Sequence, residues 1–189
     1  PWMWFNKAIS TSATSIVGGQ GLMLSSSVRP EFFPLVSIVE STYKQLPALL
    51  LLLLLGLALD EKSMSWALLY LPLIIGVQLL LTVTLGMLLA AIIPFARDLA
   101  NLIGTGMTLL MFMSGVIFDF KVLPSTLGQC LQYNPVTQLI AAYRDVILEG
   151  NTPNFQGLGY VVVFAVGVGL LNWLIYNKQR RNFVRRGMA

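Results

Sequence analysis

Residues Pro94 to Gly150 read PFARDLANLIGTGMTLLMFMSGVIFDFKVLPSTLGQCLQYNPVTQLIAAYRDVILEG, and this stretch decides the fold. A short charged break at Arg97 and Asp98 is followed by about twenty apolar residues, Leu99 to Phe118, enough to cross the hydrocarbon core of a bilayer. Two amphipathic segments come next, Val122–Gln132 and Pro135–Leu148, both too short to cross. The second has a clear helix start, because Asn134 can cap and Pro135 suits the first helical position. Val136, Leu139, Ile140, Tyr143 and Ile147 then fall on one helical face, and Gly150 can close the helix. Its residues up to Leu148 would reach roughly 21 Å, short of the roughly 30 Å core. A helical hairpin of that length must lie at the membrane interface or dip in and return.

Working outward, the composition supports a membrane protein. Hydrophobic residues make up 56% and charged residues only 11%, against about 25% charged in soluble domains. The mean hydropathy is +0.76. A net charge of +4 might point to nucleic acid, but Lys178, Arg180, Arg181, Arg185 and Arg186 crowd the C-terminal end, as in a juxtamembrane basic tail. The lone Cys130 offers no internal disulfide, and with no histidine a His/Cys metal cluster is excluded. Pro1 has no basic n-region after it, so the start is not a signal peptide, and upstream sequence is expected to be missing.

Upstream of the central stretch, Trp2, Trp4 and Phe5 suit a membrane interface. Asn6, Ser10, Thr11, Thr14, Ser15 and Gly18 recur at helical spacing, which means close helix packing or a wet cavity, with packing the favoured reading. Ser25–Glu31 is a polar break in which Pro30 disfavours helix at Arg29. A second spanning pattern runs from Phe32 to Leu59, with Ser37, Glu40, Ser41 and Lys44 on one face and Pro47 as a kink. Glu40 and Lys44 can pair in the favourable order, and charges at such depth should face protein or water. After the turn at Asp60–Lys62, Trp66–Ile93 is almost wholly apolar until Pro94 stops it. In Leu99–Phe118, a mildly polar face holds Asn101, Gly104, Thr105, Thr108, Phe112 and Gly115, opposite Leu102, Leu109, Leu110, Met113 and Val116. Gly157–Tyr176 is the last span.

The pattern predicts an all-α polytopic membrane protein with five visible transmembrane helices and an external re-entrant helical hairpin, in a single domain over residues 1–189. Basic residues set the orientation: Arg29, Arg97 and the tail lie on one side, and Lys62, Lys121 and Arg144 on the other. The tail is then cytoplasmic and the hairpin external. Catalysis is not expected, since neither a Ser–Lys nor a paired-Asp arrangement stands out. No G-x-x-x-x-G-K-[ST] loop is present to bind ATP.

Several residue patterns carry a family resemblance. PFARDLANL at 94–102, SGVIFDFKVLP at 114–124 and QYNPVTQLIAAYRDVIL at 132–148 occur in order, after PWMWFNKAISTSATSIVGGQGLM and SVRPEFFPL near the start. Together they resemble the permease subunit of type-2 ABC transporters that export polysaccharides such as O-antigen, capsule and teichoic acid. The resemblance covers essentially the whole chain; N-P-x-T with the following Y-R is its sharpest piece. Two departures stand out: the family's amphipathic N-terminal helix and first span are absent, and the turn at Ser27–Glu31 holds only Arg29 where a basic cluster is often seen.

The resemblance implies a half-transporter in which two copies form a channel across the bacterial inner membrane, with six spans in the intact subunit. A separate nucleotide-binding ATPase would dock beneath and bind the ATP and Mg, leaving no cofactor in this chain. The docking turn would comprise Ser27, Val28, Arg29, Pro30 and Glu31, with Arg97 and Asp98 nearby. Asn134, Pro135, Thr137, Tyr143 and Arg144 would belong to the external gate hairpin, with Thr137, Gln138, Arg144 and Asp145 facing outward and Arg144 free to pair with Asp119 or Glu149. The polar faces with Thr11, Thr14, Ser37, Glu40, Ser41, Lys44, Thr105, Thr108 and Phe112 are the candidates for lining the channel. A lipid-linked polysaccharide is the expected substrate; a small drug or lipid permease, or a non-conducting scaffold subunit, are the alternatives. Nucleic acid is not an expected partner.

Overall fold

The computed structural model describes residues 1–19, 21–22, 28–59, 66–117 and 131–186, with the backbone alone followed at 52–53, 55–59 and 179–186. Among the described residues the elements are all helices, joined by short turns and loops, without strands. The long helices are α1 (Trp2–Gly18), α2 (Phe32–Leu59), α3 (Leu71–Ile92), α4 (Leu99–Met113), α5 (Pro135–Ile147) and α6 (Phe155–Arg186). A short 3-10 turn, Trp66–Tyr70, leads into α3, where Pro72 occupies the first helical turn. Pro94 lies in a second such turn, Ile93–Phe95, and α3 ends there as the missing N–H of proline requires.

Helix α1 lies between α2 and α3, α3 packs along α6, and α5 is wedged against α6, α3 and the 66–70 turn. One core cluster joins Phe5 and Ile9 of α1 to Leu71, Ile74, Val77 and Leu81 of α3, Val136, Leu139, Tyr143 and Val146 of α5, and Leu158 and Val161 of α6. A second, smaller cluster joins Ile16, Ala90, Ala91 and Tyr176, with Phe33 and Phe95 against it. The starts of α1, α3 and α6 therefore share one end of the bundle with α5. The end of α1, the start of α2 and the end of α3 share the other. Buried polar bonds tie the layers: Asn172 Nδ2 donates to Thr84 O at 2.7 Å, and Gln78 Nε2 donates to Pro1 O at 3.0 Å.

The packed face of α1 is not its small polar stripe. Trp4, Phe5, Ala8, Ile9, Ser12, Ala13 and Ile16 are buried, whereas Thr14 and Gly18 are exposed and Asn6, Ser10, Thr11 and Ser15 sit at the rim. The stripe lies along the edge of the contact with α2, where Thr11 meets Ser41, and the closest approach to α3 runs through a different pair. A Cβ placed on Gly86 would lie 2.5 Å from Ser12 Oγ, so α1 and α3 touch where glycine faces serine.

Among the described residues two helices, Trp66–Phe95 with its flanking turns and Phe155–Lys178, are long and apolar enough to cross a membrane. Helix α2 is long enough at 28 residues, and it runs unbroken through Pro47. Helix α4 is shorter than the apolar run suggested. It ends at Met113 after 15 residues, about 22 Å. The reason is local: Ser114 leaves helical geometry, and Gly115 turns the chain with φ 65, a conformation that side chains disfavour. The first hairpin segment, Val122–Gln132, lies almost wholly outside the described residues, as do Ser27, Phe118, Asp119 and Cys130.

Candidate functional site

The corner after α4 is held by α5. Asn134 has extended backbone (φ −74, ψ 122), and its Oδ1 accepts from Val136 N at 3.0 Å, capping the helix whose first residue is Pro135. The same side chain's Nδ2 donates to Ser114 Oγ at 3.0 Å, and Ser114 is fully buried. Nearly three turns further on, Arg144 Nη2 donates to the carbonyl of Gly115 at 3.4 Å. The asparagine and arginine of the N-P-x-T…Y-R pattern therefore both reach the Ser114–Gly115 corner. Sequence reasoning named the pattern but not its target, because Ser114 is twenty residues away and carries no periodic signal of its own.

Helix α5 buries more of its circumference than one stripe. Val136, Leu139, Tyr143 and Val146 are buried, each contributing roughly 1.5–3 kcal/mol relative to water. Ile140 and Ile147 are only half-buried. Thr137 is 2% exposed, which corrects its expected outward placement: α5 has α6 on one side and α3 on the other, so the residue beside Val136 is also covered. Gln138, Arg144 and Asp145 are half-buried. Among the described residues, Thr137 Oγ1, Tyr143 Oη and Gln78 Oε1 lack hydrogen-bond partners despite burial. Burial also pushes the Tyr143 phenol well above its ordinary range, so it stays neutral.

At the far end of α5, the loop leading to α6 is fixed by Asn154, whose Oδ1 accepts from Gln156 N and Gly157 N at 3.1 and 3.3 Å. The Tyr160 hydroxyl donates to Tyr133 O at 2.7 Å, tying α6 to the residue before the Asn134 cap.

The opposite end of the bundle carries the two turns expected to dock an ATPase. Val28 and Arg29 are exposed, Pro30 is buried and Glu31 is half-buried. Pro30 accepts from Phe33 N, and Arg29 accepts from Phe32 N. Arg97 and Asp98 are exposed in the turn before α4, where their carbonyls accept from Ala100 N and Asn101 N. Phe33 and Phe95, which follow and precede these turns, meet in the same small cluster. The structure thus brings the two turns to one end and the hairpin helix to the other.

The polar faces divide into separate places. Thr11 Oγ1 and Ser41 Oγ lie 3.2 Å apart between α1 and α2, and Ser37 is half-buried beside them. Glu40 and Lys44 pair at 2.6 Å on the exposed side of α2. Thr105, Thr108 and Phe112 are exposed on α4, but so are Leu102, Leu109 and Met113. Helix α4 touches the bundle along a third line, through Met107 with Ile103 and Leu110. Among the described residues both named faces are thus mostly exposed, apart from Leu110, which joins that contact, and Gly115, which is buried at the corner.

The described residues thus form an apolar helical bundle with short charged turns at one end and a short, cornered helix at the other. Residues 23–148 match the ABC-2 type transporter family, and the chain belongs to that family. It is 27% identical over 188 residues to the O-antigen export system permease protein RfbA of Myxococcus xanthus, covering 97% of this chain and 71% of that protein. It is also similar to the protein of the same name from Klebsiella pneumoniae, at 21% identity over 97% of this chain and 70% of the relative.

Proposed function

We propose that this chain is the permease subunit of an ATP-driven exporter that moves a lipid-linked polysaccharide, of the O-antigen kind, across the inner membrane. The observation that carries the substrate class is the match to O-antigen export permeases along 97% of the chain. In this reading five of the subunit's six spans are present, the tail is cytoplasmic and two copies form the conduit. A separate ATPase binds ATP and Mg and pushes on Ser27–Glu31 and Arg97–Asp98. The exposed position of Arg29, Arg97 and Asp98 at one end of the bundle suits such docking.

The exposed polar positions Thr14, Glu40, Lys44, Thr105, Thr108 and Phe112 then turn toward the second copy and line the path, with Thr11, Ser37 and Ser41 behind them between α1 and α2. Hydroxyl groups there exchange hydrogen bonds with a hydrated glycan at little cost. Helix α5 closes the external exit, and the clamp from Asn134 and Arg144 onto Ser114–Gly115 couples it to α4, so that movement of one carries the other.

Deleting the gene in its host tests the reading. Surface polysaccharide should disappear while the lipid-linked chain accumulates inside, and re-expression should restore it. Unchanged surface polysaccharide in the deletion strain would contradict the proposal.

A further inference from the structure

A cleft of about 300 Å³ lies between the start of α5 and the start of α6, lined by Gln132, Tyr133, Gln138, Gly157 and Tyr160. We propose that this cleft binds a neutral hexose unit of a glycan, as a subsite on the hairpin. The inference rests on the export reading above for the glycan's presence, and on the cleft's own chemistry for its selectivity.

Its volume falls at the lower end of the about 300–1,000 Å³ typical of small-molecule sites, suited to one or two sugar rings. Two tyrosines and two glutamines supply its side chains. Tyr133 is 75% exposed and Tyr160 40%, and each side chain is a rigid apolar ring with a polar edge. Such faces match the C–H faces of a pyranose. Primary amides carry both donors and acceptors, which suits hydroxyls that do both. Among the described residues no Lys, Arg, Asp or Glu lines the cleft, so the groups that line it offer no counter-charge to a phosphate or a uronate. A neutral sugar remains as the ligand that uses every group present.

The parts are also held in place before any ligand arrives. Tyr160 is fixed by its bond to Tyr133 O at 2.7 Å, and Gln138 Nε2 donates to Gln132 O at 2.7 Å. Gln138 rests against Gly157, where a Cβ would run into its Oε1. Gly157 is therefore the residue that lets the amide sit in the cleft. That contact is with the end of a flexible side chain, so an alanine there would displace the amide without disturbing the helices.

Saturation-transfer NMR on the chain in nanodiscs tests the site, with N-acetylglucosamine, mannose and maltose as probes and glucose 6-phosphate as the charged control. Transfer from the neutral sugars and little from the phosphate supports the site. Tyr133→Ala should weaken binding about tenfold through the lost ring contact, and Gly157→Ala should weaken it comparably while the helical content stays unchanged. Absence of transfer in the wild type, transfer in both variants as strong as in the wild type, or preference for the phosphate overturns the proposal. Transfer from lipid acyl chains into the cleft that sugars fail to displace overturns it too, by assigning the cleft to lipid. Export is read in parallel on cells: surface polysaccharide with no sugar transfer refutes this site alone, and its persistence after gene deletion refutes the export reading alone.

Discussion

Replacing Asn134 with alanine removes two hydrogen bonds at once, and the structure sets the size of the effect. The cap from Asn134 Oδ1 to Val136 N is lost, which costs about 1 kcal/mol. The bond from Nδ2 to the buried Ser114 Oγ is also lost, at about another 1 kcal/mol. Together they lower the free energy of opening the first turn of α5 by about 2 kcal/mol, a roughly 30-fold rise in the open population. Hydrogen exchange of amides 136–140 in nanodiscs reads this directly, as an increase of about 30-fold in rate. Asn134→Ser keeps a capping oxygen but cannot reach Ser114, so it should give about half that free-energy change. A double-mutant cycle of Asn134→Ala with Ser114→Ala should show a coupling of about 1 kcal/mol. Exchange altered less than threefold in Asn134→Ala, or strict additivity in the cycle, would refute the two-bond account.

Other positions give sharper or blunter responses. Gly86→Ala should destabilise the bundle by about 1–3 kcal/mol, because its methyl meets Ser12 Oγ at 2.5 Å, whereas Gly76→Ala meets nothing within 4 Å and should be neutral or stabilising; equal denaturation midpoints would count against the packing. Gly115→Ala should cost about 1–2 kcal/mol through its positive φ and loosen the corner. Replacing Lys44 with Met leaves the exposed Glu40 unpaired, so stability should stay within error while export falls if that face lines the conduit. In a Cys130→Ala background, Leu148→Cys at 70% exposure should react with an impermeant thiol reagent added outside, and Leu139→Cys at 3% should not. Labelling of Leu148→Cys only from the cytoplasmic side would invert the assigned orientation.

The start of α5 was legible because its signals are local: an asparagine and a proline act on the next few backbone groups, and the structure places the helix there. The end of α4 was not, because Val116, Ile117 and Phe118 continue the apolar pattern past the residue where Gly115 turns the chain. Hydropathy reads composition, whereas the turn is set by one dihedral and by side chains arriving from Asn134 and Arg144. The face of α1 that meets α3 was not singled out for a similar reason. Its partner, Gly86, lies on another helix, and a glycine leaves no mark in periodicity to say which serine it will meet. Thr137 was placed outward by a one-stripe view of α5, which fails where a helix is covered on two sides. The two ends of the bundle, by contrast, followed from counting turns along the chain.

Reconstitution offers the most direct test of the central claim. The intact permease is placed in liposomes with its ATPase partner and a lipid-linked, fluorescently tagged polysaccharide on the ATPase side. The account predicts ATP-dependent movement of the glycan to the opposite side, abolished when the permease is left out and slowed when Asn134 and Arg144 are both replaced with alanine. Hydrolysis of ATP with no glycan crossing, or crossing that proceeds equally without the permease, would contradict it.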